Sequence, residues 1–180
     1  MQNRAEFGIF IKDFTLLGQG AEIGVELGIF SRQILSDWPG KLYLIDPWRH
    51  LENWDCSLNL SDEEMEKKYL ITFENVQEFG DRAVIIRKES LKAEIDIPDE
   101  SLDFVYIDAN HEYEAIMADL EAWYKKVRRG GIVAGHDYLD GVIEGNNFGV
   151  KSAVDSFAKL NGLTVLSTSE EYPTWYFQKL

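Results

Sequence analysis

Only one of the 180 residues is a cysteine, Cys56, so neither a disulfide within the chain nor a cysteine-built zinc site can form. Such a chain suits a reducing compartment, and a cytoplasmic location is expected. Basic residues are scarce: 18 Lys and Arg stand against 32 Asp and Glu, a formal net charge of −14. A surface that acidic repels phosphate backbones and counts against nucleic acid as a partner. KK at 67–68 and KKVRR at 125–129 fall in predicted helices and read as solvated faces. Long apolar runs are missing too. FGIFI near the start is short and runs into Lys12 and Asp13, so neither a signal peptide nor a membrane span is expected.

What remains is a chain that is 45% apolar and 13% aromatic, of a length that fits one domain over residues 1–180. Strand and helix patterns alternate along it. Residues 20–25, 41–46, 82–87, 102–108 and 132–135 read as buried strands. Between them, 29–38 reads as a helix stopped by Pro39-Gly40. A capping box of Ser61 and Glu64 opens a second helix, with Met65, Tyr69, Phe73 and Val76 at helical spacing and Gly80 as its stop. Ile116, Leu120, Trp123 and Val127 mark a third stripe, broken by Gly130-Gly131. Val150, Ala153, Val154, Phe157 and Leu160 mark a fourth, after a glycine-rich loop. Strands at 163–168 and 174–179 follow, too close for a crossover helix, so the last strand should run antiparallel. The expectation is an α/β, three-layer, Rossmann-like fold with a mostly parallel seven-stranded sheet.

In such sheets ligands bind beyond the carboxyl ends of the strands, at the switch point beside the first strand. That end reads AEIGVELG at 21–28. Gly24 and Gly28 allow a sharp turn and close approach to a ligand, or else tight strand–helix packing. Asp46 ends the second strand, where a carboxylate can accept from both hydroxyls of a ribose. A dinucleotide site prefers G-x-G-x-x-G, with pyrophosphate on bare amides. Here Glu22 and Glu26 flank Gly24 instead, and carboxylates suit a sulfonium better than a pyrophosphate.

The segments AEIGVELG, LYLIDPW, IDANHEYEAIMADLEAW, GGIVAGHDY and GVKSAVDSFA resemble class I S-adenosylmethionine-dependent methyltransferases. Within them the chain is similar to small O-methyltransferases of the macrolide-sugar and catechol type, over roughly residues 18 to 160. The resemblance implies an S-adenosylmethionine site. In it Glu22 and Gly24 flank the methionine part, with Gly28 and Asp108 also at the cofactor. Asp46 holds the ribose, and Glu89 and Ser90 sit where the family contacts adenine. Glu26 stands where the commoner motif has its middle glycine. Trp48 covers the adenine or ribose face, or simply packs.

Methyl transfer needs geometry and a deprotonated nucleophile. Asp108 ends the fourth strand and Asp137 follows the fifth, so the two carboxylates should meet at one rim, where a hard ion such as magnesium could bind. Catechol-type relatives keep an Asp-Asn pair at the second position, whereas this chain has Asp137-Tyr138. His111, three residues beyond Asp108, is the expected general base, with His136 as a second candidate. Asn110 could cap the helix beyond it. The aromatic segment 47–60 and the glycine-rich 139–149 read as lids, with Trp54 and Phe148 as acceptor contacts. The expected reaction is methylation of a small molecule's hydroxyl, by a chain that admits a homodimer. A nitrogen or carbon acceptor, a nicotinamide-dependent oxidoreductase and a catalytically silent cofactor-binding domain are the competing readings.

Overall fold

In the computed structural model, which describes every residue except 53, 55, 58 and 144, five apolar segments lie side by side as parallel strands. These are β1 (Gln19–Ile23), β2 (Lys41–Ile45), β3 (Ala83–Ile86), β4 (Leu102–Ile107) and β5 (Val127–Gly135). A hairpin, β6 (Asp140–Ile143) and β7 (Asn146–Gly149), stands apart as a small sheet. β8 (Leu166–Ser167) and β9 (Trp175–Gln178) close the main sheet, whose order is β3-β2-β1-β4-β5-β9-β8. β9 runs antiparallel to both β5 and β8, so the seven strands and the antiparallel end are as expected. All six residues of β4 are buried, which is what a central strand covered on both faces requires.

Helices cover both faces. α1 (Phe7–Asp13), α2 (Ile29–Asp37) and α3 (Asp62–Val76) lie on one side, where Phe7, Ile34, Trp38 and Val76 meet Phe104 and Tyr106 of β4. α4 (Ser90–Ala93), α5 (Tyr113–Tyr124) and α6 (Val150–Asn161) lie on the other, where Ile116, Trp123 and Val154 meet Val105 and Ile107. Alternate β4 residues thus feed opposite cores, as a period of two dictates. The capping box forms: the Glu64 amide donates to Ser61 Oγ (3.4 Å) and the Ser61 amide to Glu64 Oε2 (3.1 Å). No helix among the described residues is long and apolar enough to cross a membrane.

Several boundaries differ from expectation. β5 begins at Val127 because the chain pairs with Leu102 as soon as α5 ends. Gly130-Gly131 therefore forms an irregularity inside the strand, where the register shifts between Leu102 and Phe104. Phe73 is exposed because the inward stripe of α3 runs through Thr72, whose methyl lies against Gly28. α3 ends at Val76, before Gly80, and a 3-10 stretch (Gln77–Arg82) follows. Leu160 is exposed in the last turn of α6. The glycine-rich segment after β5 holds the β6–β7 hairpin rather than a loop, and only two residues of 163–168 pair as β8. The N-terminal stretch is helical, a 3-10 turn (Arg4–Glu6) leading into α1.

Candidate functional site

β1 sends its chain to one face of the sheet and β4 to the other, and the gap between their carboxyl ends opens into a cavity of about 800 Å³. Gly24 sits at that divergence with φ of +83°, and a Cβ there would lie 2.0 Å from the Asp108 carbonyl oxygen. Asp46 reaches back from the end of β2. Its Oδ2 accepts from the amides of Val25 (3.0 Å) and Glu26 (3.1 Å), and its Oδ1 accepts from the Trp48 amide (2.8 Å). Burial pushes the Asp46 carboxyl up, against the pull of those three amides. Trp48 Nε1 and Thr72 Oγ1 both donate to the Glu26 carbonyl, and Asn75 donates to that of Leu27. The loop is therefore held through its backbone by side chains of Asp46, Trp48 and α3. Glu26 and Trp48 both take positive φ (57° and 40°), strain of the kind that collects at functional sites.

The two loop carboxylates are occupied elsewhere. Glu22 is buried and does not line the cavity; it accepts from Ser31 Oγ (2.5 Å), and burial, opposed by Ser31 and Arg4, pushes it up to about 8. Glu26 lines the cavity but pairs with Lys68 (2.8 Å). Because the folded pKa of Glu22 is raised, the native state holds an extra proton between its unfolded value of 4.5 and about 8. Stability from that proton is complete below 4.5 and is lost as pH rises through 8. Glu22→Gln should therefore match wild type at pH 5 and exceed it at pH 9. Thermal melts at both pH values check this; a variant equally destabilised at both would refute the neutral carboxyl.

Farther along, Glu89 lines the cavity from the end of β3 and pairs with Arg49 and Lys92, the lysine first among the influences that lower its pKa. Ser90 follows as the first residue of α4. Its Oγ–H donates to Asp119 and its oxygen accepts from Trp123 Nε1 (2.8 Å). Trp48 is packed against Tyr69, with ring centroids 5.6 Å apart, and still lines the cavity. Trp54 lines the cavity too, and Asn59 donates to its carbonyl. Ser57 and Asn146 bond each other, so the two expected lids touch.

At the β4 end a charged cluster borders the cavity. His111 Nε2 lies 3.0 Å from Asp137 Oδ2 and 3.5 Å from Asp108 Oδ1, with no hydrogen-bond alignment to either. Phe148 stacks on the imidazole, centroids 4.5 Å apart and planes 7° from parallel, and so fixes its orientation. Burial disfavours the imidazolium, but the two carboxylates outweigh it and push His111 up to about 9. Asn110 Oδ1 accepts from the Glu112 amide (3.0 Å), shaping the turn that carries His111. Asp137, at φ of 53°, stays well below the usual carboxylate range: burial opposes ionisation, yet the two histidines hold it charged.

Arg4 was not foreseen. Its Nη2 donates to Asp108 Oδ2 (2.6 Å), its Nη1 lies 3.2 Å from His136 Nδ1, and its guanidinium covers the Phe30 ring at 4.1 Å. Against the cost of burial, Arg4 is the leading influence that holds Asp108 below its ordinary pKa. His136 Nδ1 is also 3.0 Å from Asp137 Oδ1, so it stands behind the cluster rather than in the cavity wall. Asp108, His111 and Asp137 bring one potential ligand atom each within 4.8 Å of one another.

The family profile described as "Methyltransferase domain" matches residues 21–138, which spans the cavity-forming elements from β1 to the Asp137 turn. No curated protein matches the chain by sequence. Among solved structures, the fold is similar to the O-methyltransferase from Bacillus cereus in complex with SAH. The identity is 18%, the TM-score 0.65, and the likeness covers 98% of this chain and 80% of that one. It is also similar to the O-methyltransferase TomG from Streptomyces achromogenes, involved in tomaymycin synthesis and in complex with SAM. There the identity is 15%, the TM-score 0.65, and coverage 98% and 79%. The N-methyltransferase NodS from Bradyrhizobium japonicum WM9 aligns as well, at 11% identity, a TM-score of 0.69, and 98% and 94% coverage. At these identities the likeness establishes a shared fold and says nothing of the acceptor.

Proposed function

The chain belongs to the methyltransferase-domain family, and from that premise we propose that it moves the methyl group of S-adenosylmethionine to a hydroxyl of a small molecule. The observation that carries the cofactor is the state of the glycine loop. The amides of Val25 and Glu26 are taken by Asp46, so they are not the bare donors that a pyrophosphate needs. A cavity edged by Asp46 and Asp108 fits a cationic nucleoside better than a dinucleotide. Asp46 would hold the ribose beside Gly24 and Gly28, while Glu89 and Ser90 flank the base.

When bound, S-adenosylmethionine supplies an electrophilic methyl group on a sulfonium. The chain must then orient an acceptor and remove its proton. His111 is the base, taking the proton at Nδ1 when the ring is neutral, because its Nε2 is enclosed against Asp108 and Asp137. The imidazolium so formed faces Asp108 and Asp137, which stabilise it. Arg4 acts as a positioning residue, since it fixes one oxygen of Asp108 and leaves the other toward His111. His136 Nδ1 lies within reach of both Arg4 and Asp137 and can bond only one of them at a time.

By distance alone Asp108, His111 and Asp137 could hold a divalent cation. Magnesium prefers oxygen ligands, however, and one of these three is an imidazole. Arg4 and the imidazolium also already balance the two carboxylates. No step is therefore routed through magnesium. A small acceptor is favoured by the apolar lining that Leu51 and Trp54 give the cavity and by the net charge of −14.

The test is methyl transfer from labelled S-adenosylmethionine to a panel of small hydroxylated and amino compounds, in buffer containing a chelator. Methyl ethers should form at a rate unchanged by the chelator. Products labelled only on nitrogen would overturn the acceptor class. Turnover abolished by chelation and restored by magnesium would overturn the base assignment.

A further inference from the structure

α5 carries a carboxylate that the proposed chemistry does not use. Asp119 is 5% exposed, yet it lines the cavity at the end bounded by Ser90, Leu91, Ala115 and Ala118. Its Oδ1 accepts the single hydroxyl proton of Ser90, whose oxygen in turn accepts from Trp123 Nε1. That chain fixes the carboxylate's orientation and leaves Oδ2 without a hydrogen-bond partner among the described residues. Oδ2 is also not among the enclosed, unpartnered atoms, so it is open to the cavity. No cation among the described residues pairs with Asp119. A buried carboxylate in that situation is costly unless a ligand donates to it.

We infer that Asp119 Oδ2 accepts from the exocyclic amine of the cofactor's purine and so selects a 6-amino over a 6-oxo base. The inference rests on the S-adenosylmethionine reading above and goes past it in naming the specificity residue. Glu89 competes for the role, but one of its oxygens already takes both Arg49 and Lys92. The walls at Leu91, Ala115 and Ala118 are apolar, which suits the faces of a planar base, while Asp119 supplies the in-plane acceptor. Burial pushes Asp119 up to about 6, with Ser90 drawing it back, so it is ionised at pH 8 and accepts only. A 6-oxo base offers a carbonyl where the amine was. Two acceptors would then face each other, and a buried mismatch of that kind discriminates strongly.

The experiment is calorimetric titration at pH 8 with S-adenosylhomocysteine and its deaminated analogue S-inosylhomocysteine, using wild type, Asp119→Asn and Glu89→Gln. Wild type should prefer the amino form by about 100-fold. In Asp119→Asn the side-chain amide can donate to the 6-oxo group, and the preference should fall to near unity or invert. Glu89→Gln should keep it. Replacing a buried, unneutralised carboxylate should also leave the pH 8 melting temperature unchanged or raised, which a purely structural aspartate would not. Should Asp119→Asn fail to fold, Asp119→Ala tests the same loss of preference. An unaltered ratio in a folded Asp119 variant, or a collapse in Glu89→Gln alone, overturns the inference and leaves the cofactor reading standing. If wild type binds neither compound, the cofactor reading itself fails.

Discussion

Replacing His111 by alanine should lower kcat by about 100- to 10,000-fold, the range that a lost general base costs, and leave the affinity for S-adenosylhomocysteine within about threefold of wild type. The asymmetry follows from position. His111 lies at the Asp108 end of the cavity, while the loop of Gly24 and Asp46, the proposed cofactor site, is built from other groups. The pH profile carries the finer part of the prediction. A base must be neutral to take a proton, and the two carboxylates hold His111 protonated up to about 9. The wild-type kcat should therefore climb about tenfold per pH unit below that value and level off above it. In His111→Ala that slope should vanish. Single-turnover rates from pH 6.5 to 10 check both statements, and a profile that levels near 6.5 would show that the carboxylates do not act on the ring as described. Stability should move the other way. A histidine with a raised pKa contributes stability fully present below 6.5 and lost as pH rises through about 9. The pH range of fastest chemistry is then one where the cluster holds the fold less firmly.

Gly24→Ala is expected to be the most damaging single-methyl change in the chain. Two separate effects act there. Positive φ costs a residue with a Cβ roughly 1–3 kcal/mol, and the new methyl would lie 2.0 Å from the Asp108 carbonyl oxygen, with backbone rather than a yielding side chain as the obstacle. Overpacking of this sort typically adds roughly 1–3 kcal/mol. Together they take about 4 kcal/mol from a fold whose total stability should be roughly 5–15 kcal/mol. Gly130→Ala is the control, since its φ is +78° but nothing lies within 4 Å of the added atom. Urea unfolding of the two variants separates strain from collision. Equal midpoints would mean that β1 and β4 can part to admit a methyl group, and that the switch point is looser than its hydrogen bonds suggest.

Much of this was legible in the order of residues. Near-continuous apolar runs marked β1 to β4 within a residue or two, because strands buried on both faces leave little room for polar positions. Ser61 with Glu64, and the short spacing before Trp175, were local signals with one structural meaning each. What could not be read depended on partners distant in sequence. Asp140–Ile143 and Asn146–Gly149 pair with each other in a stretch whose glycines look like loop, and the hairpin's worth lies in bringing Phe148 onto His111. Arg4 belongs to a three-residue turn with no periodicity of its own, and it reaches Asp108 through distant partners: Phe7 packed on Phe104 and Tyr106, and its own amide donating to Glu170. Asp119 was hidden for the opposite reason: inside a strong amphipathic pattern, one more acidic residue reads as helix surface. The negative charge of the loop does not by itself select the cofactor, because Glu22 is turned to Ser31 and pushed toward its neutral form by burial, and Glu26 is paired with Lys68. In the proposed reading the selection lies in the amides of Val25 and Glu26, which Asp46 occupies.

That point is open to a single measurement: calorimetric titration of the protein with S-adenosylmethionine and, in the same buffer, with NAD. Saturable one-to-one binding of S-adenosylmethionine with no heat from NAD is the expected result. Saturable binding of NAD with none of S-adenosylmethionine would contradict it, and would mean that the Val25 and Glu26 amides leave Asp46 to receive a pyrophosphate.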